Sequence, residues 1–290
     1  MPGKHPEFVL NLETFCFENE IDVLVPTVDD ELLPLAKERG VFSTYGTKLL
    51  LTSKESLEIC LDKYKLLQVC QHTVPVPRFA IYDETFDASD WEFPLFIKPR
   101  SGAGSRGILK IDSAEQLDNL ARNSELLIQE FLPGEEYSVD VLIARDGTVI
   151  ASVPRERMKI DSGIAVTSKT LLDKDLEHFA RQVAIQVGLT YTVNIQFRRD
   201  KNGKPCLLEV NPRFPGTMPL TVASGVNMPR LSLEHLLGRE LTPSMGNFNE
   251  LAMIRYWQEK FVSVEELSAM ERRAVEENSQ EPLLVEAVFA

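Results

Sequence analysis

Cysteine, histidine, basic charge and long apolar runs are all scarce in this chain, and each shortage removes a class of function. Its four cysteines (Cys16, Cys60, Cys70 and Cys206) show no CxxC spacing, so neither a zinc site nor a disulfide framework is indicated. Reduced, mostly buried thiols in a cytoplasmic protein are the expectation. His5, His72, His178 and His235 are scattered without metal-ligand spacing. No GxSxG elbow or Cys–His arrangement announces a covalent nucleophile. No apolar run approaches the roughly 20 residues of a membrane span, and the start Met1-Pro2-Gly3-Lys4-His5 leads into no signal-peptide core. Thirty-one basic residues against 44 acidic ones leave a net charge of −13, which disfavours nonspecific nucleic-acid binding. A small polyanion held by a few local cations remains compatible with that balance. With 43% hydrophobic and 26% charged residues, the composition is that of a soluble globular protein, and 290 residues suffice for two packed units.

The pattern opens as α/β. Glu20–Pro26 reads as a strand, Asp29–Gly40 as a helix ending at glycine, and 41–46 as a short strand or turn. Thr52-Ser53-Lys54-Glu55 is a capping-box pattern opening a helix through Leu57, Cys60, Tyr64 and Leu67. Val74-Pro75-Val76-Pro77 is a linker, and hairpins dominate after it. Strands are predicted at Phe93–Pro99, Ile108–Ile111, Leu126–Leu132 and Tyr137–Ile143, the last two paired around Pro133-Gly134. Helices are predicted at Ala114–Ala121, at Leu176–Val187 before Gly188, and near Pro229–Leu237. Residues 242–290 are acidic and weakly patterned, with a strand at Ala252–Trp257. The expected organisation is a partial α/β domain over 1–75, a hairpin-rich domain over 76–240 divided near residue 135, and an extension over 241–290.

Chemistry is most legible around Asn202-Gly203, a hairpin signal between the β-prone stretches Tyr191–Phe197 and Cys206–Val210. A two-residue turn there pairs Lys201 with Lys204, which sets Gln196 opposite Glu209 and Asn194 opposite Asn211. Alternation puts these four on one face and Ile195, Phe197, Leu208 and Val210 on the other. A carboxylate beside amide oxygens, with cross-strand Cβ atoms about 5 Å apart, suits a hard cation that keeps water or phosphate ligands, such as Mg2+. A solvated polar sheet face is the bland alternative.

Upstream, Lys98-Pro99-Arg100-Ser101-Gly102-Ala103-Gly104-Ser105-Arg106-Gly107 runs from a strand into a glycine-rich loop. Such a loop lets backbone N–H groups approach a phosphate. It lacks GxxxxGK[ST] and returns into a strand rather than a helix, so it is neither a P-loop nor a dinucleotide fingerprint. A flap over a triphosphate fits better, with Lys98 supplying a point charge; an ordinary flexible loop is the alternative. Gln129-Glu130-Phe131-Leu132-Pro133-Gly134-Glu135-Glu136 offers a strand edge for a purine and an acid for ribose hydroxyls, although solvated turn charges read the same way. Arg155, Arg157 and Lys159 alternate onto one side of a basic strand, equally readable as a salt-bridged surface. Arg213 follows Glu209 and Asn211 by four and two residues, placed to neutralise an anion formed there.

Taken in order, these elements resemble the ATP-grasp superfamily, and within it the carbamoyl-phosphate-synthase-like and biotin-carboxylase-like carboxylate–amine ligases. The resemblance covers roughly residues 20–238 and rests on ordered motifs: the Asp62-Lys63 helix, Phe93–Pro99 with its glycine loop, Gln129–Tyr137, Gln196, and Glu209-Val210-Asn211-Pro212-Arg213. It implies an α+β ATP-grasp fold preceded by a partial Rossmann-like parallel α/β domain. By the same resemblance Lys63 and Lys98 hold the ATP phosphates, under a loop contributing Ser101, Gly102, Gly104, Ser105 and Gly107. Glu130, Phe131 and Leu132 form the adenine hinge, and Glu136 the ribose ligand. Gln196, Glu209 and Asn211 match the Mg2+ ligands, for one or two ions, with Mn2+ as a substitute. Arg213 matches the arginine that steadies a phosphorylated intermediate, and Arg155 and Arg157 match the acceptor-side basic strand.

The implied reaction is attack of a carboxylate on the γ-phosphate of Mg-ATP, then displacement of phosphate by an amine or similar nucleophile. Positioning and charge neutralisation carry such chemistry. Small-molecule carboxylate and amine substrates are the implied partners, with no nucleic acid and no membrane. Two alternatives stay open: one fragment of a split carbamoyl-phosphate synthase, and a non-catalytic ATP-binding module. Relatives usually begin with a full domain before the grasp. Here the chain enters within Glu7–Ile21, so a homodimer mate or a partner chain is expected to complete that domain.

Overall fold

Apolar residues of the first 60 positions gather around a small core of Leu32, Leu35, Phe42, Leu49 and Leu57, which sets the N-terminal elements. The computed structural model describes residues 2–102, 104 and 106–280. Helix α1 (Phe8–Glu18) precedes strand β1 (Val23–Leu24), helices α2 (Asp29–Lys37) and α3 (Arg39–Thr44), and strand β2 (Lys48–Leu49), which pairs parallel with β1. Helix α1 has no counterpart in the sequence reading. The chain breaks its helix at Glu38 rather than at Gly40, which lies inside α3. Helices α4 (Lys54–Cys60) and α5 (Lys63–Cys70) replace one continuous helix. Ser53 caps α4 by accepting from Ser56 N, while Thr52 Oγ1 instead accepts from Thr190 N at 3.1 Å. Asp62 caps α5 through Tyr64 N and Lys65 N, which explains the interruption.

A second group of strands follows the linker: β3 (Phe79–Ile81), β4 (Leu95–Pro99) and β5 (Leu109–Ile111), then helix α6 (Ala114–Asp118) and strand β6 (Leu126–Glu130). They form a four-stranded sheet in the order β3-β6-β4-β5. Strands β7 (Glu136–Ile143), β8 (Val149–Asp161) and β9 (Ile164–Thr170) come next. Helix α7 (Lys174–Val187), strands β10 (Tyr191–Arg199) and β11 (Pro205–Asn211), and helices α8 (Met218–Ala223) and α9 (Met228–Leu236) then lead to strand β12 (Ala252–Ile254) and helix α10 (Val264–Gln280). Among the described residues a six-stranded sheet runs β11-β10-β7-β8-β9-β12. Strands β6 and β7 are therefore not a hairpin. They lie in different sheets, and Phe131–Glu135 is the crossing between them.

Burial divides the large sheet by face. Val139, Val141, Val193, Ile195, Phe197 and Val210 join Leu66 and Leu67 of α5 and Leu176, Ala180 and Val183 of α7 in the largest core. Fully burying each of the Val, Leu, Ile and Phe side chains among them contributes roughly 1.5–3 kcal/mol. Gly188, left-handed at φ 70°, ends α7 as its position predicts. The opposite face carries polar residues in cross-strand rows. One row is Asp140, Asn194 and Asn211, and the next is Arg155, Ser138, Gln196 and Glu209.

The register that sets Gln196 against Glu209 is the predicted one, but it arises differently. The connection is a five-residue loop from Asp200 to Lys204, in which Asp200 Oδ1 accepts from Asn202 N and Lys204 N. An extra residue, Leu208, then forms a bulge between Glu209 and Leu207 that restores the pairing. The bulge has a consequence for the site. Leu207 enters the core, and Leu208 turns from the predicted apolar face to line the cleft.

Candidate active site between the two sheets

The cleft between the sheets contains a cavity of about 300 Å3 whose walls come from both. Phe96 and Lys98 of β4, Gln129 of β6 and residues of the glycine loop form one side. Glu136, Gln196, Arg198 and Glu209 form the other, and Lys63 enters from the first turn of α5. A wider cleft of about 790 Å3 continues from it toward α2, bringing in Asp29, Asn194, Asn211, Arg213 and Thr217.

Cations are tied down by short contacts. Lys63 donates from Nζ to Gly102 O at 2.7 Å and lies 3.9 Å from Glu209 Oε2. Its helix is locked to the residue after β4 by Lys63 N donating to Arg100 O at 2.9 Å and by the Asp62–Arg100 ion pair at 2.6 Å. Lys98 is 7% exposed. Burial lowers its pKa from 10.5 to about 8, with Glu209 opposing and Lys63 adding to the shift. Phosphate oxygens beside this ammonium would hold its charge to higher pH. Glu136 is bracketed by Arg157, 2.7 Å away, and Arg198, 3.8 Å away.

The glycine loop lies over the cavity. Gly104 backs against Gly163 in the β8–β9 turn so closely that a Cβ on Gly163 would meet Gly104 Cα at 3.0 Å. Arg157 Nη2 donates to Gly163 O at 2.9 Å, so each side of this contact is held by a cation of the site.

Most of the residues expected at a nucleotide site line this cavity: Lys63, Lys98, Ser101, Gly102, Gly104, Leu132, Glu136, Gln196 and Glu209. Asn211 and Arg213 line the wider cleft. Others lie elsewhere. Alternation along β6 turns the Glu130 side chain outward, where Oε1 accepts from Arg78 N at 2.9 Å. Phe131 packs its ring 5.6 Å from that of Phe96 and is not part of the cavity wall. Gly107, at φ 72°, turns the loop back beneath Pro99 and is likewise outside the wall. Ser105 lies outside the described residues. Arg155, at the wholly buried end of its row, donates to Asp140 Oδ1 at 2.6 Å and to Thr217 Oγ1, and it reaches neither cavity.

Sequence reasoning missed Gln129, which faces the cavity in place of Glu130. It is 3% exposed, and among the described residues its Oε1 has no hydrogen-bond partner. Alternation opposite Phe96 was the available signal. Asp29 and Leu208 were missed for other reasons: a long-range pairing and a bulge.

The donor set fits a magnesium ion carried by a nucleotide. Among the described residues no group of three or more Asp, Glu, His or Cys side chains converges as a metal site. One carboxylate, Glu209, stands with the amides of Gln196 and Asn211, and Asn211 Nδ2 donates to Glu209 Oε1 at 3.3 Å. Hard oxygens with a single charge leave most of a Mg2+ coordination shell for water and phosphate.

The chain is similar to known proteins in sequence and in fold. A family model described as ATP-grasp in the biosynthetic pathway with Ter operon matches residues 122–259. The carbamoyl phosphate synthase large chain of a Thermoanaerobacter species is 27% identical over 219 residues, covering 68% of this chain and 20% of that one. The D-alanine–D-alanine ligase of Neisseria gonorrhoeae is 29% identical over 175 residues, covering 53% of this chain and 57% of that one. In structure, a biotin carboxylase–β,γ-ATP complex from Campylobacter jejuni superposes with a TM-score of 0.72 at 18% identity, covering 85% of this chain and 61% of that chain. The chain thus spans a fifth of the carbamoyl phosphate synthase it resembles and about three fifths of the other two. The chain thus contains an ATP-grasp domain, matched over residues 122–259, on a fold shared with the biotin carboxylase.

Proposed function

We propose that this protein binds Mg-ATP between its two sheets and uses it to activate a carboxylate as an acyl phosphate, which an amine or similar nucleophile then attacks. The observation that carries this reading is the convergence of Lys63, Lys98, Glu136, Gln196 and Glu209 on one cavity. Lys63 and Lys98 would neutralise the phosphates, and Glu136 would accept from the ribose. The open amide oxygen of Gln129, beside Leu132, would accept from the nucleobase. Gln196, Glu209 and Asn211 would hold magnesium, whose charge would offset that of the terminal phosphates. Arg213, in the adjoining cleft, would face the transferred phosphoryl group and the carboxylate. Arg155 would act by fixing the polar rows, without touching substrate. Mn2+ is expected to substitute, and a second ion to share Glu209.

In this reading residues 1–75 close the acceptor end, 76–240 grip the nucleotide, and β12, within the extension over 241–290, braces the far sheet edge. The free, buried cysteines favour a cytoplasmic setting. Measuring phosphate release from Mg-ATP over a panel of amino acids and bicarbonate tests the proposal. A carboxylate that stimulates ADP formation is the expected result, whereas ATP binding without stimulation by any of them would leave a non-catalytic module.

The 20% coverage of carbamoyl phosphate synthase favours a second reading, one ATP-using unit of a divided synthase completed by a partner chain or a second copy. It predicts stimulation by bicarbonate and by no amino acid.

A further inference from the structure

We propose that Asn194 supplies an additional oxygen to the divalent-cation site and that buried Asp140 aims it there; the inference rests on the Mg-nucleotide reading above. Asn194 stands directly between Asp140 on β7 and Asn211 on β11, one row from Gln196 and Glu209. It is 2% exposed and lines the wider cleft. Its Nδ2 donates to Asp140 Oδ1 at 2.7 Å.

An asparagine amide offers two donors on one side and an acceptor on the other, and the two orientations fill the same volume. An ionised aspartate accepts only, so it selects the orientation with nitrogen toward itself. With the nitrogen turned to β7, the oxygen is left to the β11 side, where Asn211 and Glu209 stand. Asp140 itself is unable to serve as the ligand. It is fully buried, with Oδ1 shared by Arg155 at 2.6 Å and Asn194, and Oδ2 taken by Thr221 at 2.5 Å. Arg155 continues the chain of contacts to Thr217 in the segment after Arg213.

Burying an ion pair is costly, and well-packed apolar residues of similar volume are often as stable. The Asp140–Arg155 pair therefore needs a reason beyond stability, and fixing one amide orientation beneath the cation site provides it. A neutral oxygen adds coordination without adding negative charge that repels a triphosphate.

The test uses the full chain, a non-hydrolysable ATP analogue, and Mn2+ as a paramagnetic probe read by electron spin resonance. Asn194→Ala is expected to weaken Mn2+ binding in the ternary mixture at least tenfold, since even a partner behind a metal ligand costs about tenfold or more. Its affinity for the analogue in EDTA should stay within twofold of wild type. Thr221→Val, remote from the cleft, should shift Mn2+ affinity in the same direction by a smaller factor, because it loosens Asp140 alone. Thermal melting verifies folding, and Asn194→Ser takes the place of Asn194→Ala if the alanine variant does not fold. Mn2+ affinity within twofold of wild type in the Asn194 variant would overturn the proposal while leaving the nucleotide site intact. A wild-type protein that binds the analogue but no Mn2+ would remove both.

Discussion

Arg213 donates two hydrogen bonds to Asp29, Nε to Oδ1 at 2.7 Å and Nη2 to Oδ2 at 2.6 Å, across 184 residues of sequence. The pair joins the segment after the β10–β11 hairpin to the first turn of α2, and both residues line the wider cleft. A two-point fork of this kind fixes the plane of the guanidinium as well as its position. Asp29→Ala should therefore misplace Arg213 without touching the nucleotide. Carboxylate-dependent ADP formation is expected to fall about tenfold, the equivalent of one charge-assisted hydrogen bond. The Kd of an ATP analogue should remain within twofold by calorimetry, and a large rise in it would place Asp29 in the nucleotide site.

Lys98 gives the account a pH signature. Its pKa of about 8 in the free site lies below the ordinary 10.5 because burial disfavours the charged form. Phosphate oxygens favour that form, so ATP affinity should decline as pH rises through about 8. Binding at pH 8.5–9 should take up protons, as calorimetry in buffers of different ionisation enthalpy would detect. Lys98→Met should abolish the uptake. The stability effect has the opposite trend: between about pH 8 and 10.5 the unfolded chain binds more protons at this residue. Lys98 therefore penalises folding below this window, and the penalty lifts as pH rises through it.

The flap contact predicts a glycine requirement at the β8–β9 turn. Gly163 has φ 80°, and a Cβ there would sit 3.0 Å from Gly104 Cα and 3.1 Å from its carbonyl carbon. Gly163→Ala should hold the glycine loop away from the cavity and add backbone strain of about 1 kcal/mol. The expected result is a KM for ATP raised several-fold and faster proteolysis within residues 101–107. Unchanged values of both would show that the two backbones do not need to meet.

Asp62 carries a stability prediction. Burial raises its pKa, but hydrogen bonds from Arg100 and from the backbone of Lys65 and Tyr64 outweigh that and leave it below 3.8. Its stabilising contribution is thus complete above that value and is lost as pH falls through the lowered pKa. Asp62→Ala should cost about 2 kcal/mol in urea titration, combining a helix cap with a partly buried ion pair. The difference from wild type should shrink in strong acid.

The parts of the site readable from sequence were those governed by alternation and local turn chemistry. The pairing of Gln196 with Glu209 is one, although a bulge at Leu208 corrected for a loop longer than Asn202-Gly203 implied. Register depends on the sum of turn length and bulges, so two departures cancelled there, and only the direction of Leu208 records them. The segment around Pro133-Gly134 reads as a tight turn whether it joins paired strands or carries the chain between sheets. Long-range packing decides that, with Gly134 N donating to Arg199 O and Arg198 Nε donating to Gly134 O. Glu130 and Gln129 exchanged roles because a motif names a neighbourhood and strand alternation names the side chain that faces in. The partners of Arg155 and Arg213 come from distant segments, and no local pattern encodes them.

The central claim is that the row of Gln196 and Glu209, with Asn211 beside it, holds a divalent ion against the nucleotide phosphates. Calorimetric titration of a non-hydrolysable ATP analogue, with Mg2+ and then with EDTA, into wild type and Glu209→Gln measures it directly. Wild type should bind at least tenfold more tightly with Mg2+, and Glu209→Gln, folded and melting near the wild-type temperature, should lose that difference together with turnover. Equal affinity with and without Mg2+ in the wild type would contradict the account.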